Sequence, residues 1–258
     1  MAAPENGFKA RMRAGEMQVG VFLGTASPVV AEIAAGAGFD WVLIDGEHGP
    51  SDMPLVQAQL IALQGRGAEA AVRVPVGEAW MLKQALDLGA QTLLVPMVDT
   101  GAEAQAVARA TRYAPRGTRG LAAGMVRAAR YGADADYIAT SDAQICLMVQ
   151  AESRAAVDNI DAIAGADGVD CVFVGPSDLA ADMGYPGDTG APEVAEAIGH
   201  LIARTRAAGK AAGIFAADPA GLTAYRDAGV TVVAVGSDIG ALRAGLAGLA
   251  GVARERLG

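Results

Sequence analysis

Short apolar runs rich in β-branched residues alternate along the chain with longer alanine-rich segments that have the period of helices. The strongest runs are apolar throughout instead of alternating, so both faces of these strands are expected to be covered, as in a parallel sheet. A ninth, weaker candidate lies at 119–121. The eight clear strands are predicted at 19–23, 41–44, 71–74, 92–95, 145–149, 172–174, 212–215 and 232–235.

The segments between these strands predict helices, and glycine follows many of them, as expected for helix C-caps that lead into a strand. Eight strand–helix units in about 250 residues, without a linker, favour a single (β/α)8 barrel that spans residues 1–258. A doubly wound sheet is the alternative. The predicted helices are 29–37, 54–64, 78–88, 102–113, 154–164, 192–208, 219–228 and 239–257.

Composition narrows the possible functions. The 258 residues are 52% hydrophobic and 19% charged, which excludes a disordered chain. A net charge of -9 repels phosphate backbones and anionic lipid, so we expect neither a nucleic-acid nor a membrane partner. The N-terminal segment lacks the apolar region of a signal peptide, and Cys146 and Cys171 fit buried free thiols. A cytoplasmic protein is predicted.

Polar residues cluster just after several predicted strands. In a parallel barrel the carboxyl ends of the strands meet at one rim, where catalytic groups collect. An Arg within an apolar strand needs an anion, because an unpaired buried charge is costly. The residues expected at this rim are Asp45-Gly46-Glu47-His48, Arg73, Gln150, Glu152, and Ser177 with Asp178 after the Gly175-Pro176 turn.

Glu152 and Asp178 lie 26 residues apart, at the ends of consecutive strands. Two carboxylates without a Cys or His cluster suit a hard divalent cation that keeps open coordination positions. An acid/base pair of a glycosidase is the alternative, but it would need a rim of aromatic residues to stack on sugar, and the chain has two Trp. A metal site is therefore the favoured interpretation.

The histidine and lysine residues indicate which type of catalytic mechanism to expect. His48 lies in a glycine-flanked loop beside two acids, which suits a general base. The chain has three lysines, Lys9, Lys83 and Lys210, and none is expected at the carboxyl end of a strand. A Schiff-base mechanism is therefore not expected. No glycine-rich fingerprint indicates a nucleotide cofactor.

Several stretches together resemble the 4-hydroxy-2-oxoheptanedioate aldolase family, the metal-dependent class II pyruvate aldolases. The similarity runs in order along nearly the whole chain. The matching stretches are IDGEH (44–48), VRVP (72–75), LDLGAQTLLVPMVDT (86–100), PRGTRGLAAGMVRAARYG (115–132), LMVQAES (147–153), VFVGPSDLAADMGYPG (172–187) and AGKAAGI (208–214).

This resemblance implies a (β/α)8 barrel that forms a hexamer and exchanges its last helix, 239–257, between subunits. It assigns the metal ligands to Glu152 and Asp178 and the carbonyl-stabilising role to Arg73. The general base is His48, made more basic by Asp87, and Asp45 shares its loop. The substrate-contacting residues are Gln150, Ser177, Gly175, Pro176 and Phe215; Ser177 stands where a small apolar residue is expected, and Phe215 where an aliphatic one is.

The implied reaction is the reversible cleavage of a 4-hydroxy-2-oxoacid, such as 4-hydroxy-2-oxoheptanedioate, into pyruvate and an aldehyde through a metal-bound pyruvate enolate. The cation would be Mg²⁺, Mn²⁺ or Co²⁺. A citramalyl- or malyl-CoA lyase is a rival, since the arginines of segment 116–130 could bind the phosphates of CoA. A non-catalytic metabolite-binding barrel is a second rival.

Overall fold

The computed structural model describes residues 1–216 and 218–258. Eight strands pair in sequence order, each parallel to its neighbours, and the last pairs with the first to close a barrel. This confirms the predicted (β/α)8 barrel. The strands are β1 (Gln18–Leu23), β2 (Trp41–Asp45), β3 (Glu69–Arg73), β4 (Thr92–Val95), β5 (Cys146–Ala151), β6 (Cys171–Val174), β7 (Ala211–Phe215) and β8 (Val232–Ser237).

Helices surround this barrel, and several begin with a capping side chain, such as Ser27, Asp52 and Thr100, that accepts a hydrogen bond from a backbone N–H of the first turn. Two short 3₁₀ segments cover Arg127–Gly132 and Pro219–Gly221. The helices are α1 (Gly7–Arg13), α2 (Pro28–Ala35), α3 (Met53–Leu63), α4 (Ala79–Asp87), α5 (Gly101–Ala110), α6 (Tyr137–Gln144), α7 (Arg154–Asp158), α8 (Ile160–Ala164), α9 (Pro176–Asp182), α10 (Pro192–Ala207), α11 (Leu222–Ala228) and α12 (Asp238–Leu257).

The hydrophobic core has two layers, one on each face of the sheet. Aliphatic side chains and alanines pack between the outer face and the helices. The barrel interior is filled by larger side chains, among them Trp41 and Phe173. Helix α1 closes the amino end of the barrel, since Phe8 and Met12 belong to the interior layer and the Phe8 ring lies 5.6 Å from that of Trp41. The interior is therefore a packed core, and the accessible end is the carboxyl rim.

The ninth candidate strand is wrong. Arg119 forms only an isolated bridge with Tyr113, because its N–H donates to the carbonyl of Arg112 at the end of α5 instead of pairing with the barrel. Pro115, Gly117 and Gly120 keep this segment irregular.

The sequence pattern did not predict three of the helices, namely α1, α6 and α9. Each is eight residues or shorter, so each shows two apolar turns at most. The predicted helix 154–164 is divided into α7 and α8 at Asn159.

Helix α12 is present as predicted, but for most of its length it is exposed. Its buried residue is Asp238, in the first turn. Within the described part of the chain, no helix combines the length and the apolar character needed to cross a bilayer.

Candidate active site

Asp45 and Arg73 are the last residues of β2 and β3 and are partners in the strand register. Both are buried, and the guanidinium donates to both carboxylate oxygens, from Nε at 2.9 Å and from Nη2 at 2.7 Å. Burial alone would raise the pKa of Asp45, but Arg73 and the N–H groups of Glu47 and His48 outweigh it and hold the pKa below its usual value. The pair is therefore ionised and rigid.

Glu47 connects this ion pair to His48. Its Oε2 lies 2.7 Å from Arg73 Nη1 and 3.7 Å from His48 Nε2. Burial raises the pKa of Glu47, with Arg73 and His48 acting in the opposite direction. The sequence predicted a base beside two acids but did not include Glu47 among the site residues, although its place in the IDGEH stretch was a usable signal.

The loop that carries these groups depends on a close approach to β3. The N–H of Gly46 donates to the Arg73 carbonyl at 2.9 Å, and a Cβ on Gly46 would lie 2.7 Å from that oxygen. A larger residue would push the loop away from β3. His48 itself projects from the rim with a side chain that is 66% exposed, as the predicted general base would need to be in order to reach a substrate.

Glu152, which follows β5, is buried beneath the rim at 2% exposure. Its Oε1 accepts from the Met97 N–H at 2.9 Å, and its Oε2 accepts from Gln150 Nε2 at 2.5 Å. Gln150 in turn accepts from Arg73 Nη1 at 3.3 Å. Burial raises the pKa of Glu152 to about 7, and the negative charges of Asp178 and Glu47 add to the increase.

Asp178 lies in the first turn of α9, on the exposed rim beside Ser177, whereas Gly175 and Pro176 before them are buried. A Cβ on Gly175 would lie 2.2 Å from Glu152 Oε2, so glycine here lets the Glu152 carboxylate lie directly against the β6 loop. The structure therefore brings the two predicted metal ligands to one place.

This cluster fits a divalent cation. Four carboxyl groups, those of Asp45, Glu47, Glu152 and Asp178, act on one another around the single guanidinium of Arg73. The excess negative charge and the all-oxygen donor set are what a hard cation requires. Glu152 and Asp178 would supply two ligands, which would leave coordination positions open for substrate.

Aromatic rings form the floor beneath Arg73. The Phe22 ring lies 5.1 Å from the guanidinium carbon, and Phe215 meets Phe22 edge-on at 5.1 Å between ring centroids. The predicted substrate contact Phe215 is thus separated from Arg73 by one ring, and it is half-buried at the end of β7.

Asp87 is the one predicted catalytic residue that the single chain does not bring to this rim. It is the last residue of α4, and its Oδ1 accepts from Arg119 Nη2 at 2.7 Å. Since α4 returns from the carboxyl end of β3 to the amino end of β4, its last residue lies at the opposite end of the barrel from His48. Within one chain the acid beside His48 is Glu47, not Asp87.

Comparison with known proteins now defines the family. The model of the family described as HpcH/HpaI aldolase/citrate lyase matches residues 18–244. This chain belongs to that family. Its enzymes include a hydroxypyruvate/pyruvate aldolase of Roseovarius nubinhibens, 50% identical to this chain over 239 residues, which are 93% of each protein.

Two further relatives agree with this assignment. A 2-keto-3-deoxy-L-rhamnonate aldolase of Klebsiella pneumoniae is 48% identical over 233 residues, 90% of this chain and 87% of that protein. The crystal structure of a family protein from Burkholderia cenocepacia superposes with a TM-score of 0.92 at 43% identity, covering 96% of this chain and 99% of the other. The chain is accordingly an enzyme, a carbon–carbon lyase of the aldolase type.

Proposed function

We propose that this HpcH/HpaI-family aldolase cleaves 4-hydroxy-2-oxoacids into pyruvate and an aldehyde, with a divalent cation held by Glu152 and Asp178. The observation that carries the proposal is the buried carboxylate of Glu152, which is linked to Arg73 through Gln150 and whose pKa is raised in part by the charge of Asp178. A Mg²⁺, Mn²⁺ or Co²⁺ ion bound there would act as a Lewis acid toward the 2-oxo group.

The residues of the chain account for the remaining steps. Arg73, fixed by Asp45, donates to the substrate oxygen on which enolate charge develops. His48 accepts the proton of the 4-hydroxyl, the C3–C4 bond breaks, the aldehyde leaves, and the enolate takes a proton at C3 to give pyruvate. Gln150 and Ser177 contact the substrate, with Gly175, Pro176 and Phe215 around it.

The names of the relatives bear on the substrate. Hydroxypyruvate/pyruvate aldolases and a 2-keto-3-deoxy-L-rhamnonate aldolase share 48–50% identity with this chain. We therefore propose pyruvate or hydroxypyruvate as the product retained at the metal, with a hydroxylated aldehyde as partner, ahead of 4-hydroxy-2-oxoheptanedioate as the natural substrate.

The CoA-thioester rival loses its main support. Of the arginines in segment 116–130, Arg119 and Arg130 pair with Asp87 and Asp134, and Arg127 donates to Gln64 and to the Leu88 carbonyl. These contacts belong to the amino half of the barrel, away from Glu152. These arginines hold the 116–130 segment against the barrel instead of forming a phosphate site at the rim.

The test is pyruvate release from 4-hydroxy-2-oxoacids, with CoA thioesters as competing substrates. EDTA should abolish the activity and Mn²⁺, Co²⁺ or Mg²⁺ should restore it. Trapping of a pyruvate adduct by borohydride, or preferential cleavage of thioesters, would reject the proposal.

We further propose that the chain forms a homo-oligomer, a hexamer by its resemblance, in which α12 packs on a second copy. Leu242, Leu246 and Leu249 form an apolar stripe along α12 and are 53–71% exposed. On α2, which begins after β1, Val29 and Ile33 are 65% and 67% exposed. An α12 helix from another copy would cover this face, where the last helix of a barrel usually packs. A role for Asp87 beside His48 would likewise require a second copy.

Light scattering of full-length protein and of a chain that ends at Ala241 tests this arrangement. Ending there keeps Asp238, whose carboxylate accepts from the N–H groups of Gly24 and Thr25. The paired substitution Leu246→Glu/Leu249→Glu should dissociate the protein, whereas Ala247→Glu, roughly 100° or more away around the helix, should not. An active monomer of 26.0 kDa would contradict the proposal.

A further inference from the structure

Met97 has an unusual backbone conformation at the edge of the site. Its φ is +52°, in the left-handed region that residues other than glycine rarely occupy. It follows Pro96 directly after β4. Positions that require a positive φ are usually occupied by Gly, and less often by Asn or Asp.

The chain is anchored on both sides of Met97. Before it, Val95 pairs with Val149 in the β4–β5 register, and after it, the Val98 N–H donates to the Gln150 carbonyl at 3.1 Å. Between these anchors the peptide group joining Pro96 and Met97 can face either side of the chain. In the observed conformation the Met97 N–H donates to Glu152 Oε1 at 2.9 Å.

The side chain of Met97 does not explain this conformation, because it is 54% exposed. If the peptide turned over, Met97 would return to a common negative φ, but its N–H would leave the Glu152 carboxylate. Glu152 would then keep Gln150 Nε2 as a donor on Oε2 and lose the donor on Oε1. A carboxylate fixed by one donor holds a cation less well than one fixed by two.

We infer that Met97 is a positioning residue, whose left-handed backbone aims its N–H at Glu152 and fixes that carboxylate for the divalent cation. The inference rests on the proposed metal site. It concerns the backbone of Met97 and not its thioether.

This distinction gives a matched pair of variants. Both Met97→Gly and Met97→Val remove the thioether, but glycine adopts a positive φ without strain, whereas a β-branched residue there is an outlier. Mn²⁺ binding by calorimetry should be unchanged within about twofold for Met97→Gly and at least about tenfold weaker for Met97→Val. If Met97→Val does not fold, Met97→Asn against Met97→Leu repeats the contrast, since Asn tolerates the left-handed region.

Two further measurements separate positioning from general stabilisation. For Met97→Val the Mn²⁺ concentration that gives half-maximal pyruvate release should rise, while saturating Mn²⁺ restores most of the maximal rate. Amide exchange at position 97 should be slow in the wild type and in Met97→Gly, and fast in Met97→Val.

Equal Mn²⁺ affinities in the Gly and Val variants would overturn the inference, as would equal losses in both. Either result would leave the proposed metal site standing. A wild-type protein that binds no Mn²⁺ would instead reject the proposed function itself.

Discussion

The two ends of the barrel both contain buried charges, but the charges are compensated differently. At the amino end Lys9, on α1, lies 3.2 Å from Asp170 Oδ2 and donates to the Ile145 carbonyl. Asp170 also lies 3.4 Å from Arg13 and accepts from the Leu147 N–H. One carboxylate there contacts two cations, and α1 closes the end.

At the carboxyl end, by contrast, carboxylates outnumber cations. Four carboxyl groups surround one guanidinium, that of Arg73, which contacts Asp45 and Glu47. Glu152 has two hydrogen-bond donors but no cation in contact among the described residues. Burial, together with the negative charges of Asp178 and Glu47, raises the pKa of Glu152 to about 7. The balanced charges at the amino end stabilise the fold. The excess negative charge at the carboxyl end is unfavourable by itself, and a bound cation would relieve this repulsion.

The largest effect on activity is expected from removing the negative charge of Glu152 at the carboxyl end. Glu152→Gln removes a proposed ligand, so pyruvate release should fall by about 10³-fold or more, since Lewis-acid stabilisation is worth several kcal/mol. The measurement is kcat/KM at saturating Mn²⁺. Glu196→Gln, on the exposed face of α10, is the control and should leave kcat/KM unchanged. Wild-type turnover in Glu152→Gln would show that this end is a structural charge cluster.

Arg73→Lys tests whether the site needs the planar guanidinium of Arg73 and not only its positive charge. Lysine keeps the charge but cannot donate to both oxygens of Asp45 and also reach Glu47, Gln150 and substrate. Activity should fall about 10²–10³-fold. Arg73→Ala should in addition destabilise the fold by about 3–5 kcal/mol, because Asp45 would remain buried without a cation to balance its charge. Exposed Arg109→Lys is the control, and urea unfolding separates the two effects.

Lys9→Met tests the amino end. We expect the free energy of unfolding to fall by about 3 kcal/mol, since Asp170 keeps Arg13 as its one cationic partner among the described residues. The kcat value should stay at that of the wild type. Lys83→Met, a half-buried lysine on α4, is the matched control. A large loss of kcat in folded Lys9→Met protein would mean that the two ends are coupled.

The smallest effect is a pH dependence of the metal-free protein. The pKa of Glu152 is about 7 in the folded state against 4.5 for an unperturbed glutamate, so the folded state binds this proton more tightly. The stability that this proton provides is present in full below pH 4.5 and is lost as the pH rises through 7, at most about 3 kcal/mol.

Melting curves in EDTA between pH 5 and 8.5 check this expectation. Tm should decrease with rising pH in the wild type by about 2–4 °C for each kcal/mol lost, and less in Glu152→Gln. Addition of Mn²⁺ should remove the difference. Parallel pH profiles in EDTA for wild type and Glu152→Gln would contradict it.

The barrel could be predicted from the sequence because strands buried on both faces are continuous apolar runs, and these runs are local features. The strand-end positions of Asp45, Arg73 and Glu152 follow directly from them. Helices α6 and α9 could not be recognised, because two turns of helix carry too little periodicity.

Neither the contacts within the site nor the position of Asp87 in the barrel depends on the local sequence alone. The sequence alone determined the parallel barrel, the rim that holds the chemistry, and the residue types available there. Only the tertiary structure decided that Glu47 joins Arg73 to His48, that Met97 turns its N–H toward Glu152, and that α4 ends with Asp87 at the far end of the barrel. The reason is that each of these depends on the distance and direction between segments that are remote in the chain, which packing and loop geometry set, whereas periodicity reports only which face of its own element a residue occupies.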